Sequence, residues 1–312
     1  MNNARRFNPS ASVAAYVLVF IFLQACSFGE ARVSNADNAG ENPETAAYNK
    51  GLLWKITNDD NEPGYLFGTM HSEDKRVLSL PPAAKTAFEN ADSLTLEIFP
   101  DISASVTASE YIYYKDGRTL EQVIGKSLFK RTVLALRKYE IPATKIVTMK
   151  PWMVFGILSL PKPETGIFLD RLLYQKARKN NKQLYSLESV SEQLTLFDTM
   201  PEKDQIILLK YAVNNIDHLE TWIEEMTKAY LAGDLQQLQS IGIQYLPEED
   251  EVASAFNERL IDRRNITMVE RMLPRLNAGN AFIAIGALHL PGKHGVLKLL
   301  EQKGYQLDRV GR

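Results

Sequence analysis

The chain has one cysteine in 312 residues, Cys26. With no second cysteine, an intramolecular disulfide cannot form, and a thiolate zinc cluster is excluded; once Cys26 is lipidated, as its neighbouring residues suggest, a cysteine nucleophile is excluded as well. Histidine is almost as scarce, with 4 residues, so imidazole chemistry has to come from a very small set. An excess of either charge is also missing. Lys and Arg number 36 against 38 Asp and Glu, a formal net charge of -2 that gives no field for nucleic acid. The short basic run Lys176, Arg178, Lys179, Lys182 reads as the solvated face of a helix. Hydrophobic length is limited too. The apolar stretch from Ala11 to Ala25, preceded by Arg5 and Arg6, falls short of the roughly 20 residues that span a bilayer and reads as a signal peptide.

The end of that stretch carries a processing signal. Leu23-Gln24-Ala25-Cys26 has the form of a bacterial lipobox, so residues 1–25 are expected to be removed and Cys26 to carry lipid, palmitate included. Ser27 stands where an Asp often retains lipoproteins in the inner membrane. By resemblance to sorting in Gram-negative bacteria, this favours a protein anchored in the outer membrane and facing the periplasm. Residues 26–49 are small and polar and read as a tether. As a random coil of about twenty residues it would reach on the order of 25 Å. Residues 50–312 are long enough for one fairly large domain, and 45% hydrophobic residues supply its core.

Within that domain the order of elements is legible. Leu52–Thr57 and Gly64–Thr69 read as a hairpin around Asn58-Asp59-Asp60-Asn61-Glu62-Pro63. Pro81 and Pro82 suit the first turn of a helix through Ala91, and Ser93–Ile98 alternates as a strand whose last polar residue is Glu97. Residues 101–180 are mostly helical, with Leu169, Leu172, Leu173 and Ala177 on one face. A short strand at Gln183–Leu187 ends at Glu188. Helices then run to Leu276, the last over about Glu251–Leu276, turning Phe256, Leu260, Ile261 and Met268 inward and grouping Arg263, Arg264 and Asn265 as a polar cluster. Ala281–Leu288 reads as a buried strand. A helix with Val296, Leu297, Leu299 and Leu300 comes next, stopped by Gly304, and 305–310 reads as an edge strand. Strands separated by long helical stretches predict an α/β (α+β) domain: a mixed central sheet flanked by helices, with a large helical insertion.

Two copies of one short pattern stand out, Gly68-Thr69-Met70-His71 and Gly286-Ala287-Leu288-His289, each closing an apolar run. With 4 His and 17 Gly, chance placement gives about 0.2 such G-x-x-H matches. A histidine just beyond a buried strand is where sites form in sheet proteins.

The ordered set of motifs resembles the TraB/GumN family (TraB/PrgY/GumN), related to the Tiki metalloproteases. It runs through Leu66-Phe67-Gly68-Thr69-Met70-His71, Leu80-Pro81, Ala91–Glu97, Lys150-Pro151-Trp152, Leu169-Asp170 and Leu187-Glu188-Ser189. It continues with Glu192-Gln193-Leu194, Arg264-Asn265, Met268, Ile285–Gly292, Gly295 and Gly304-Tyr305. The resemblance implies a Tiki/TraB-like fold, remotely EreA- or ChaN-like, and a metal-dependent hydrolase acting on peptide or protein substrates. By position it makes His71, Glu97 and His289 the essential residues. Two neutral imidazoles and a carboxylate leave open positions on a divalent ion, which polarises a carbonyl and activates water. That donor set suits Mn, Co, Fe or Zn alike. Glu188 is the candidate second carboxylate, as an added ligand or general base. Arg264 would hold a carboxylate or stabilise an oxyanion, with Asn265 a neighbouring donor.

Each residue also has a plainer reading. The two histidines could be hydrogen-bonded structural residues, and Glu97 a partner of Arg264 in an ion pair. Glu188 could sit at a helix N-terminus, and Trp152 pack a helix start. His294 and His218 fall outside the pattern. At the level of function, a non-catalytic peptide-binding module and a haem- or iron-binding lipoprotein are the alternatives to a hydrolase.

Overall fold

A computed structural model describes residues 48–58, 61–247 and 250–311. The expected signal peptide, the lipobox with Cys26 and nearly all of the tether lie outside the described residues. The rest falls into two compact units, one of residues 101–166 and 190–221, the other of residues 48–100, 167–189 and 222–311.

The first unit is helical, as expected of residues 101–180. Its most buried helix, Pro151–Leu158, starts on a proline whose missing N–H costs nothing in the first turn. Trp152 is fully buried there. Its ring lies 5.6 Å from that of Phe197, and its indole N–H donates to Asp198 Oδ1 at 3.3 Å, so this tryptophan packs a helix start.

The second unit holds a six-stranded mixed sheet in the order β4-β3-β5-β2-β1-β6. The strands are β1 Leu53–Thr57, β2 Gly64–Thr69, β3 Ser93–Leu96, β4 Gln183–Ser186, β5 Ala281–Gly286 and β6 Gln306–Arg309. β1 and β2 form the expected antiparallel hairpin, and β6 pairs antiparallel with β1 at one edge. β5 runs parallel to both β2 and β3, and β3 parallel to β4. Every residue of β5 is buried, the mark of a strand covered on both faces. The cover comes from helices α1 Pro82–Asn90, α2 Leu169–Lys179, α3 Leu219–Leu231 (from Trp222 onward), α4 Leu235–Gln244, α5 Arg263–Ala278 and α6 Val296–Gln302. α2 buries Leu169, Leu173 and Ala177, four residues apart, on one stripe.

Two expectations change. The single helix over about Glu251–Leu276 is instead an α-helix Asp250–Asn257, a π turn Glu258–Asp262 and then α5. The extra residue in the π turn rotates the helix beyond it, and the expected polar cluster divides. Arg263 is exposed and pairs with Glu258, whereas Arg264 and Asn265 are buried. The strand expected to reach Leu288 stops at Gly286. Gly286 N–H leaves the ladder to donate to the Glu97 carboxylate at 2.7 Å, and Ala287–His289 turn as a 3-10 segment.

Candidate functional site

Because β2, β5, β3 and β4 are parallel, their C-terminal ends share one edge of the sheet. The register aligns Thr69 with Gly286, Leu96 with Ala284 and Leu96 with Ser186. His71, His289, Glu97 and Glu188 each lie one to three residues past these ends, where open α/β sheets bind ligands. The two motifs, far apart in sequence, are therefore neighbours. A Cβ added to Gly68 would stand 2.8 Å from Leu290 Cδ1 and 3.0 Å from Ala287 Cα, so the first glycine is the space into which the second motif's turn packs.

Glu97, Glu188 and Arg264 form one buried ionic cluster, with 2%, 7% and 3% of their surfaces exposed. Arg264 Nε donates to both oxygens of Glu188 at 3.0 and 3.1 Å, and Nη2 donates to Glu188 Oε2 at 2.6 Å and to Glu97 Oε2 at 2.5 Å. Nη1 takes the Leu260 carbonyl in the π turn, at 3.2 Å. Burial alone would lower the Arg264 pKa, but the charges of Glu188 and Glu97 outweigh it and hold the guanidinium protonated. The two carboxylates share this one guanidinium out of water. The expected role of Arg264 as holder of carboxylates and the plainer ion-pair reading of Glu97 thus describe one arrangement.

His289 is fully buried beside this cluster. Its Nδ1 meets Asn265 Oδ1 at 2.6 Å. Its Nε2 has no hydrogen-bond partner among the described residues and lies 3.9 Å from Glu97 Oε1. Burial first, and then the Arg264 charge, push the His289 pKa well below the usual imidazole value, against a smaller opposing effect of Glu188. The ring is therefore neutral. His71 is half-buried as a residue, yet both ring nitrogens are shielded, and burial lowers its pKa well below the usual value too. Its ring lies against Phe168 with centroids 3.6 Å apart.

The donor chemistry fits a divalent ion at part of the site. Two ligand atoms each about 2.1 Å from one ion stand roughly 3–4 Å apart, and His289 Nε2 and Glu97 Oε1 have that separation. Both histidines are held neutral, as ligation requires. The full set is not closed: among the described residues no three His, Cys, Asp or Glu side chains are grouped so as to hold a metal. The fold brings His289, Glu97, Glu188 and Arg264 into one cluster and sets His71 on the same edge.

One residue with no role assigned from sequence belongs here. Asp170, 3% exposed in the first turn of α2, accepts from Thr69 Oγ1 at 2.9 Å. Burial and then the Glu97 charge push its pKa up to about 7, against the lowering effect of Thr69. Tyr230 on α3 donates to the Gly68 carbonyl at 3.0 Å, so two buried hydroxyl bonds fix the first motif from behind. An acid in a helix's first turn reads as dipole compensation in a sequence, and Tyr230 carries no sequence signal.

A sequence model of the TraB/PrgY/gumN family matches residues 52–309. Metalloprotease TIKI2 of Danio rerio is 25% identical over 304 residues, covering 80% of this chain and 58% of that protein. Metalloprotease TIKI2 of Xenopus tropicalis is 24% identical over 315 residues, covering 83% and 60% respectively, so the chain spans about three fifths of the length of these relatives. A shorter relative, the protein YbaP of Escherichia coli strain K12, is 25% identical over 258 residues that cover 78% of this chain and 90% of YbaP.

Proposed function

The chain belongs to the TraB/PrgY/gumN family, and from that premise we propose that it is a metal-dependent hydrolase with peptide or protein substrates. The observation that carries the proposal is the buried Nε2 of His289, without a hydrogen-bond partner among the described residues, facing the Glu97 carboxylate at 3.9 Å. A lone pair opposite a carboxylate is repulsive unless something positive lies between them. His71, Glu97 and His289 would hold the ion. Bound there, a divalent cation supplies a Lewis acid that polarises a peptide carbonyl and activates water near neutral pH.

The protein's own groups do the rest. Gly286 N–H and Arg264 Nη2 each bind one oxygen of Glu97, which fixes the direction of its remaining lone pairs. Glu188, with both oxygens accepting from Arg264, anchors that guanidinium. Asp170, with a pKa of about 7, is the buried carboxyl able to exchange a proton at neutral pH. The native metal is open among Mn, Co, Fe and Zn.

We also propose that the domain works at the bacterial outer membrane, facing the periplasm, on a lipid carried by Cys26. Palmitate labelling lost in Cys26→Ala would support the anchor; labelling that persists would remove it. For the activity, the test is metal analysis of the purified domain from Gly51 onward, with turnover of a peptide library. About one divalent ion per chain is expected, with both ion and cleavage lost when His71 and His289 are replaced by Ala. Unchanged ion content in the double variant, or no ion in the reconstituted parent, would defeat the assignment.

A further inference from the structure

The protonation pattern of His289 is set by a neighbour on a different element. Asn265 is fully buried in the first turn of α5, and its amide makes two contacts of opposite kind. Asn265 Nδ2 lies 2.8 Å from the His294 backbone carbonyl, which can only accept. The amide nitrogen must therefore face His294, and the oxygen must face His289 Nδ1, at 2.6 Å. Flipping the amide would oppose two oxygens at the first contact. An amide oxygen only accepts, so His289 Nδ1 has to carry the proton. The neutral ring is then the Nδ1–H tautomer, and its lone pair sits on Nε2, the atom facing Glu97 Oε1.

We propose that Asn265 is a positioning residue that locks His289 in the Nδ1–H tautomer and so aims the Nε2 lone pair at Glu97. The second contact makes the lock rigid. The His294 carbonyl belongs to the loop between the Ala287–His289 turn and α6, so one side chain ties the ring of His289 to the backbone five residues later. The π turn just before α5 is what rotates Asn265 inward to do this. The tautomer follows from the hydrogen bonds alone. Its consequence for ion binding rests on the proposed metal-dependent function, and outer partners of this kind typically change metal affinity 10–100-fold.

The test is nitrogen-15 NMR of the histidine rings in ion-free protein at pH 7.5, for the parent, Asn265→Asp and Asn265→Leu, with Zn2+ titration of each. The parent should show His289 with a protonated Nδ1 and an unprotonated Nε2. Asn265→Asp keeps an acceptor opposite Nδ1 and should retain that pattern. Asn265→Leu removes the acceptor and should populate the other tautomer, with Zn2+ affinity reduced about 10–100-fold. A protonated Nε2 in the parent, or an unchanged pattern in Asn265→Leu, would overturn the proposal. If Asn265→Leu does not fold, the parent spectrum and Asn265→Asp still decide it. A parent with the expected tautomer that binds no Zn2+ would sink the metal-dependent function while leaving the tautomer lock standing.

Discussion

Replacing Arg264 by Met tests the buried ionic cluster most directly. The guanidinium binds both oxygens of Glu188 and one of Glu97, and the three residues are 2–7% exposed, so its removal leaves two carboxylates out of water. Breaking a buried pair by deleting one partner costs about 3–5 kcal/mol. The loss is not doubled, because Glu97 keeps the Gly286 N–H at 2.7 Å. For a domain of this size, 1 kcal/mol corresponds to roughly 2–4 °C, so the melting temperature should fall by about 6–20 °C. The loss must also depend on pH. Without Arg264, the folded carboxylates have pKa values above their unfolded ones and bind more protons than the unfolded chain, so the variant gains stability as pH falls. Calorimetry at pH 8 and pH 5 should show a smaller gap between parent and variant at pH 5. Adding Glu97→Gln and Glu188→Gln to Arg264→Met should recover much of the loss, since no charge then remains buried. A loss below about 1 kcal/mol, or a gap that widens at pH 5, would refute the view of this cluster as a buried, mutually dependent triad.

Asp170→Asn keeps the acceptor for Thr69 and removes the titration. With a folded pKa of about 7 against an unfolded value near 3.9, the folded state binds more protons, so stability falls as pH rises through that window, by about 4 kcal/mol in all. In ion-free protein the advantage of Asp170→Asn over the parent should therefore grow between pH 4 and pH 8; an advantage independent of pH would contradict the shift. Gly68→Ala forces a methyl against Ala287 and Leu290 and should cost about 1–3 kcal/mol in urea unfolding, with weaker ion binding because the two motifs are pushed apart. An unchanged midpoint would show that the close approach is not needed. Glu97→Gln should abolish ion binding, whereas Glu188→Gln should retain it and lose about 1–3 kcal/mol of stability through the weakened Arg264 anchor. Equal ion loss in both variants would make Glu188 a ligand.

Strands and the edge that carries the site were legible because their signals are local. β2 and β5 are short apolar runs with Gly68 just before the end of one and Gly286 at the end of the other, and Glu97 and Glu188 follow β3 and β4 by one and two residues. What stayed hidden depends on hydrogen bonds between distant residues. The π turn at Glu258–Asp262 leaves the apolar spacing almost intact and changes only which residues turn inward, so Arg264 and Asn265 looked equivalent to Arg263. The end of β5 at Gly286 is set by a carboxylate nearly two hundred residues earlier in the chain. Asp170 is placed by Thr69, 101 residues earlier in the chain, and its elevated pKa arises from burial and the charge of Glu97 just past β3.

That charge connects the separate parts of the site. Glu97 and Glu188 share Arg264, both histidines have pKa values well below the usual one, and the buried carboxyl of Asp170 has its pKa raised in part by Glu97. A buried group keeps a proton to pH 7 when adding another negative charge would cost more than holding the proton. Glu97 Oε1 accepts from Gly286 N–H at 2.7 Å, and across 3.9 Å it faces His289 Nε2. A structural ion-pair network would gain by placing an N–H in that position, and the Asn265 amide does the reverse by holding the imidazole proton on the far nitrogen. That Nε2 lone pair and that carboxylate, facing one small gap, are what the proposed cation site rests on.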